Sequence, residues 1–160
     1  MKRSLILVIF AFLLGVAGSL LFVPASNVAV RPAMASGSAS NDNLTTYMAL
    51  FQHIAHKIGL SIDAGNKDLA SFYVGELNEE SGIVAKRFPQ YQGIAVGALL
   101  PAMLNPYIAP LKSAVDAGNM PAASTAYDNL ITGCNACHAA TQHSFVKIKR
   151  VKTNPYLQEF

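Results

Sequence analysis

The sequence predicts an all-α fold, an antiparallel bundle of four helices. From residue 44 to residue 62, apolar residues recur at three- and four-residue steps, which is the period of an amphipathic helix. The tetrapeptide Asp-Ala-Gly-Asn occurs at 63–66 and again at 116–119, each time where one helical pattern stops and another starts. Strand patterns are nearly absent. Two helical hairpins joined by a longer crossover make such a bundle.

The first helix is predicted from about residue 43 to residue 63 by this apolar period. Its stripe consists of Leu44, Met48, Phe51, Ala55, Ile58 and Ile62. Gly65 suits the left-handed position just after a helix, and Asn66 suits the N-cap of the next one. The second helix is therefore predicted from about 67 to 87, with Pro89 beyond its end.

The third helix contains Pro101, Pro106 and Pro110 in its sequence. Proline inside a helix removes a hydrogen bond and clashes with the preceding turn. The regular part of this helix is therefore predicted to start near Pro106, and residues 89–105 are predicted to be a loop with one helical turn. Gly118 is predicted to close the helix.

The fourth helix is predicted from about 120 to 142, with Asn119 or Met120 as its cap. Pro121 falls in the first turn, where a missing N–H costs little. Residues 145–148 alternate between apolar and polar types, and we expect them to run extended along the bundle.

The pentapeptide Cys134-Asn135-Ala136-Cys137-His138 lies near the end of the fourth predicted helix. Two thiols at this spacing can capture both vinyl groups of a haem, and the adjoining histidine can bind the iron as proximal ligand. The motif therefore predicts one covalent haem c. The alternatives are a thioredoxin-like dithiol, which usually lies beside a βαβ pattern, and half of a zinc site, which needs further ligands.

Covalent haem attachment takes place outside the bacterial cytoplasm. A signal peptide at the N-terminus would therefore be independent support for the motif. Residues 1–35 match a signal peptide and leader, because two basic residues precede an apolar run from 5 to 23. Cleavage is predicted after Ala25 or after Ala35. An uncleaved membrane helix is the alternative, since the run is near the roughly 20 residues that span a bilayer. We predict a periplasmic protein without stable membrane insertion after processing.

Beyond the leader, residues 36–43 are predicted to be a flexible lead-in, 44–148 the four-helix domain and 149–160 a basic C-terminal tail. The net charge of +3 comes from the leader, because three of the twelve Lys and Arg residues precede residue 36 and the other nine match nine Asp and Glu. A nucleic-acid-binding domain usually has a clear excess of basic residues, which this balance lacks. The tail has one basic cluster, predicted to be a solvated end, with a docking patch for an electron-transfer partner as the alternative: Lys147, Lys149, Arg150 and Lys152.

A leader, four helices and CxxCH on the last helix together resemble the class II c-type cytochromes, the cytochrome c′ family. Class I members place the motif near the N-terminus with a methionine ligand after it, whereas every methionine here precedes Cys134. A closer resemblance is to a poorly characterised periplasmic group. Its pattern is matched by Tyr47-Met48, Lys57-Ile58, Asn66 to Ala70, Glu76-Leu77, and Cys134 to His138 with Phe145 and Ile148. Lys67 departs from it, since the group usually has Trp there.

The resemblance implies that Met48 is the candidate for the second axial ligand of the iron. A filled site favours electron transfer, and an open one permits binding of a small gas. The alternative is that Met48 is a core side chain, the usual role of a methionine on such a stripe. His53 and His56 are rival ligands, but a count of 100° per residue places both away from the stripe. His143 is expected at the surface or near a propionate.

The resemblance further implies one-electron transfer to or from a redox partner protein. It also allows a homodimer that pairs through the first two helices, as an alternative to a monomer. The alternative function is binding or sensing of NO or CO at an open or displaceable site. An enzyme such as a peroxidase needs distal polar groups, which the apolar stripe of the first helix does not supply. No catalytic residue is therefore predicted.

Overall fold

The computed structural model describes residues 43–160, which form four α-helices: α1 (Leu44–Asp63), α2 (Lys67–Arg87), α3 (Val96–Asp116) and α4 (Met120–Ala140). Each helix packs against its neighbours along the chain, and α1 also contacts α4, which closes the bundle. The predicted all-α class and four-helix bundle are confirmed. The predicted leader, both cleavage sites and the lead-in up to residue 42 lie outside the described residues.

The two Asp-Ala-Gly-Asn segments end α1 and α3 in the same way. Gly65 and Gly118 have φ angles of 71° and 69°, in the left-handed region that glycine adopts without strain. The N–H groups of each glycine and of the following asparagine bond to carbonyls of the last helical turn, which is a Schellman motif. The Asn66 and Asn119 side chains each accept a hydrogen bond of 3.1 Å from the backbone N–H three residues later. One asparagine thus closes a helix and caps the next.

The third helix starts earlier than the sequence predicts. It begins at Val96, so the prediction of a loop over 89–105 is wrong from that residue onward. Pro106 and Pro110 lie on the exposed face, where water can hydrogen-bond to the carbonyls that lose a partner. The opposite face is buried: Val96, Leu100, Leu104, Ile108, Leu111 and Val115. At about 1.5–3 kcal/mol for each buried aliphatic side chain, this stripe offsets prolines that cost about 3 kcal/mol each.

Glycine lets α4 approach both α1 and α3 closely. A Cβ atom added to Gly59 of α1 would lie 2.7 Å from the Cζ atom of Tyr127 in α4. A Cβ atom added to Gly133 of α4 would lie 2.5 Å from the ring of Tyr107 in α3. Tyr127 is fully buried, so its ring has little room to move away. Gly59 therefore sets the distance between α1 and α4 where Tyr127 packs.

Replacement of Gly59 by Ala is expected to lower the free energy of unfolding by about 1–2 kcal/mol, because overpacking a core costs more than the helix gains from alanine. Gly75→Ala in α2 is the matched control. Gly75 is exposed and has no heavy atom within 4 Å of the added Cβ, so this change should stabilise the protein by about 0.5–1 kcal/mol. Denaturant unfolding of both variants measures the difference. Equal stabilisation by the two changes would contradict the close approach.

The C-terminal segment returns to the helices. Arg150 forms ion pairs with Asp63 at the end of α1 and with Asp128 of α4, and its guanidinium lies over the Tyr127 ring at 5.1 Å from the centroid. The prediction of a solvated end is therefore wrong for Arg150. The other basic residues of that cluster are exposed: Lys147, Lys149 and Lys152. Arg150 joins the two helices that border the candidate site.

Candidate functional site

The CxxCH motif occupies the C-terminal turns of α4. Residues three and four apart are neighbours on the surface of a helix, so Cys134 lies beside both Cys137 and His138. All three side chains are half-buried and line one cleft of the bundle. The structure thus brings the predicted haem-binding residues of α4 to a single concave surface.

The cleft opens between α1 and α4, which touch less extensively than the other neighbouring pairs of helices. It consists of two adjoining cavities of about 200 and 210 Å³ that share Met48, Cys137 and His138 in their walls. The remaining wall is mainly apolar and includes Leu44, Phe51, Ala55, Leu77, Leu100, Leu104 and Ile148. Taken together, the cavities reach the range of roughly 300–1,000 Å³ and the apolar character of sites for small molecules and cofactors.

Met48 contributes to this cleft from α1. It is half-buried and lies in the wall of both cavities, as Cys137 and His138 do from α4. The side chain predicted as distal ligand and the one predicted as proximal ligand therefore line the same cavities from two different helices.

His138 makes a hydrogen bond that fits an iron ligand. Its Nδ1 atom lies 2.9 Å from the carbonyl oxygen of Val146. A carbonyl only accepts, so Nδ1 carries the proton and the lone pair of Nε2 is left for a metal. Metal-bound histidines almost always donate their other ring N–H in this way. The residues present thus fit a covalently attached haem, with an imidazole of the required tautomer next to two thiols.

The end of α4 explains how Val146 comes to lie beside His138. Gln142 adopts a φ of 65°, the left-handed position that Gly65 and Gly118 occupy elsewhere. The His143 N–H donates to the His138 carbonyl at 2.7 Å, which is a third Schellman ending. The chain reverses there, immediately after the motif, and Val146 returns toward the ring of His138.

The two cysteines are free thiols rather than a disulfide. Burial raises the pKa of Cys134 to about 11, and the neighbouring Cys137 adds to this effect; burial also raises the pKa of Cys137. A thioredoxin-like dithiol depends on a lowered thiol pKa, which is the opposite of what this site produces. Within residues 43–160, no three His, Cys, Asp or Glu side chains form a metal-binding group, whereas a structural zinc ion usually has four protein ligands.

The rival histidines face the C-terminal segment instead of the cleft. The His53 ring packs edge-on against Tyr156 at 4.7 Å between centroids, and His56 Nδ1 lies 3.5 Å from the Tyr156 hydroxyl. Burial lowers the pKa of both imidazoles. The charge of Lys57 lowers the pKa of His53 further, and the neighbouring His53 does the same to the pKa of His56. His143 is exposed and lines the first cavity, with its ring 5.7 Å from that of Phe145.

Sequence reasoning missed three parts of the site. Leu100 and Leu104 fell in the predicted loop, although their four-residue spacing from Val96 and Ile108 is a helical signal. The Val146 carbonyl is a backbone group, which no residue pattern identifies. Asn135 makes two contacts across the turn that also have no sequence signal.

No protein-family model, curated protein or solved structure matches this chain. Among the helices of residues 43–160, none combines the length and the apolar character needed to cross a bilayer. The function proposed below is therefore argued from the residues of the cleft.

Proposed function

We propose that this chain is an exported monohaem cytochrome of the class II type, which transfers single electrons to or from a partner protein in the periplasm. One observation carries the proposal: Cys134, Cys137 and His138 of α4 share an apolar cleft with Met48 of α1. When bound, haem c supplies the Fe(II)/Fe(III) couple. The predicted export leader and the CxxCH spacing support the same function.

Each residue of the cleft has a role in this proposal. The sulfur atoms of Cys134 and Cys137 hold the cofactor through thioethers. The Nε2 atom of His138 is the proximal ligand, because its Nδ1–H is taken by Val146. Met48 provides a soft thioether sulfur as the distal ligand.

The bundle keeps these groups in place. Turns of three residues, 64–66 and 117–119, connect α1 to α2 and α3 to α4, and such short connections favour antiparallel neighbours. Phe51, Leu77 and Leu104 give the cleft an apolar wall. A low local dielectric and the identity of the axial ligands are the means by which a protein sets a haem potential.

Optical spectra of the protein, produced with a cytochrome c maturation system, test the proposal. We expect a six-coordinate, low-spin haem in both oxidation states, with little binding of CO. His138→Ala should keep both thioethers but change the spectrum, since the proximal ligand is lost. A five-coordinate parent that binds CO readily would instead favour the gas-binding alternative, and a folded protein without haem would contradict both functions.

A further inference from the structure

Asn135, the first residue between the two cysteines, holds the returning chain at two points. Its Nδ2 group donates to the Ile148 carbonyl at 2.9 Å, and its Oδ1 atom accepts from the Ile148 N–H at 2.7 Å. One side chain thus satisfies both backbone groups of a residue thirteen positions later. Two parallel hydrogen bonds fix the orientation of that residue as well as its distance from α4.

This contact fixes the backbone on one side of the His138 hydrogen bond. Val146, whose carbonyl accepts from His138 Nδ1, lies two residues before Ile148. On the other side, the His143 N–H donates to the His138 carbonyl at 2.7 Å, and the Val146 N–H donates to the His143 carbonyl at 2.8 Å. The turn after α4 is therefore held at both ends, with the accepting carbonyl between them.

The hydrogen bond needs such support because it is open to solvent. Val146 is 39% exposed and His138 is half-buried, so water can compete for the Nδ1–H. A solvent-accessible hydrogen bond contributes little net free energy by itself, about 0.5–1.5 kcal/mol. Contacts that hold the acceptor in place decide how much of the time the bond is formed.

We propose that Asn135 is a positioning residue for His138, which holds the Val146 carbonyl against Nδ1 through its two hydrogen bonds to Ile148. This inference rests on the proposed function. A carbonyl that accepts from Nδ1–H fixes the tautomer and ring orientation and raises the basicity of the ligating nitrogen. A more basic axial ligand stabilises Fe(III) relative to Fe(II), so Asn135 lowers the reduction potential.

Asn135→Ala in the haem-loaded protein tests this role. The variant should keep its covalent haem, because Cys134, Cys137 and His138 are unchanged. Its reduction potential should rise by about 59 mV, which corresponds to a tenfold shift of the one-electron equilibrium, and its His138 Nδ1–H should exchange faster with solvent. Asn129→Ala is the matched control, since Asn129 is exposed on the same helix and its side chain makes no hydrogen bond within residues 43–160. It should leave both quantities unchanged.

A variant with covalent haem and the parent's potential and exchange rate would overturn the role of Asn135 while the cytochrome proposal stood. A parent without covalent haem would overturn both. If Asn135→Ala does not fold, the parent protein still provides a test that needs no substitution. Nuclear magnetic resonance of the ferrous protein should show slow exchange for the His138 Nδ1–H and for one Asn135 amide proton. Rapid exchange of either proton would overturn the inference.

Discussion

Replacement of both Cys134 and Cys137 by Ser is expected to abolish the haem that survives denaturing electrophoresis. A hydroxyl cannot form the thioether, so this loss should be complete rather than gradual.

The measurement combines haem staining of the denaturing gel with the intact mass of the protein, after expression with a cytochrome c maturation system. The single variants Cys134→Ser and Cys137→Ser are the controls, since each keeps one thioether and should retain part of the stain. The double variant still has His138 and the apolar walls of the cleft, so any haem it binds should be extracted by denaturation. A folded parent with the mass of the polypeptide alone would refute the haem assignment.

Met48→Ala is expected to convert a low-spin haem into a high-spin form that binds CO. Removal of the sulfur opens the distal position, and the identity of the axial ligand governs both access and potential. The weak near-infrared band of sulfur-to-iron charge transfer should be present in the ferric parent and absent from the variant. Met48 is only half-buried, so truncation should cost less than the roughly 2–5 kcal/mol of a fully buried methionine.

Two controls separate a ligand from a core side chain. Met48→Leu keeps the apolar volume but has no sulfur, so it should reproduce the spectral change with little loss of stability. Met103→Ala makes the same truncation at a half-buried position of α3 that does not line the cleft, and the spectrum should not change. A low-spin signal that disappears with His53→Ala or His56→Ala instead would assign the distal ligand to a histidine.

Local signals predicted most of the helical framework. The bounds expected for the first, second and fourth helices differ from those of α1, α2 and α4 by at most two residues. The reason is that an apolar period, a left-handed glycine and an asparagine cap each act over one or two turns of the chain. Gly65 and Asn66 carry that information wholly within their own neighbourhood.

The start of α3 shows where such local reasoning fails. From sequence alone, Pro101 and Pro106 are expected to break a helix. The free-energy cost of a proline, however, depends on whether its side of the helix faces water or a neighbouring helix. That orientation is a property of the packed bundle. For the same reason, Leu100 and Leu104, which line the cleft, had been assigned to a loop and were not predicted as part of the site.

The sequence by itself determined the bounds of α1, α2 and α4, the two Asp-Ala-Gly-Asn turns and the CxxCH spacing from which haem attachment is predicted, because each is encoded within a few residues. Only the tertiary structure decided that Met48 shares a cleft with His138, that Arg150 bridges α1 and α4, and that Val146 accepts from His138. These contacts join parts of the chain whose separation is set by helix packing and by the reversal after α4. A contact to a backbone carbonyl, or to a side chain across the bundle, leaves no pattern in the neighbouring sequence. Only the packing of the helices determines which groups make it.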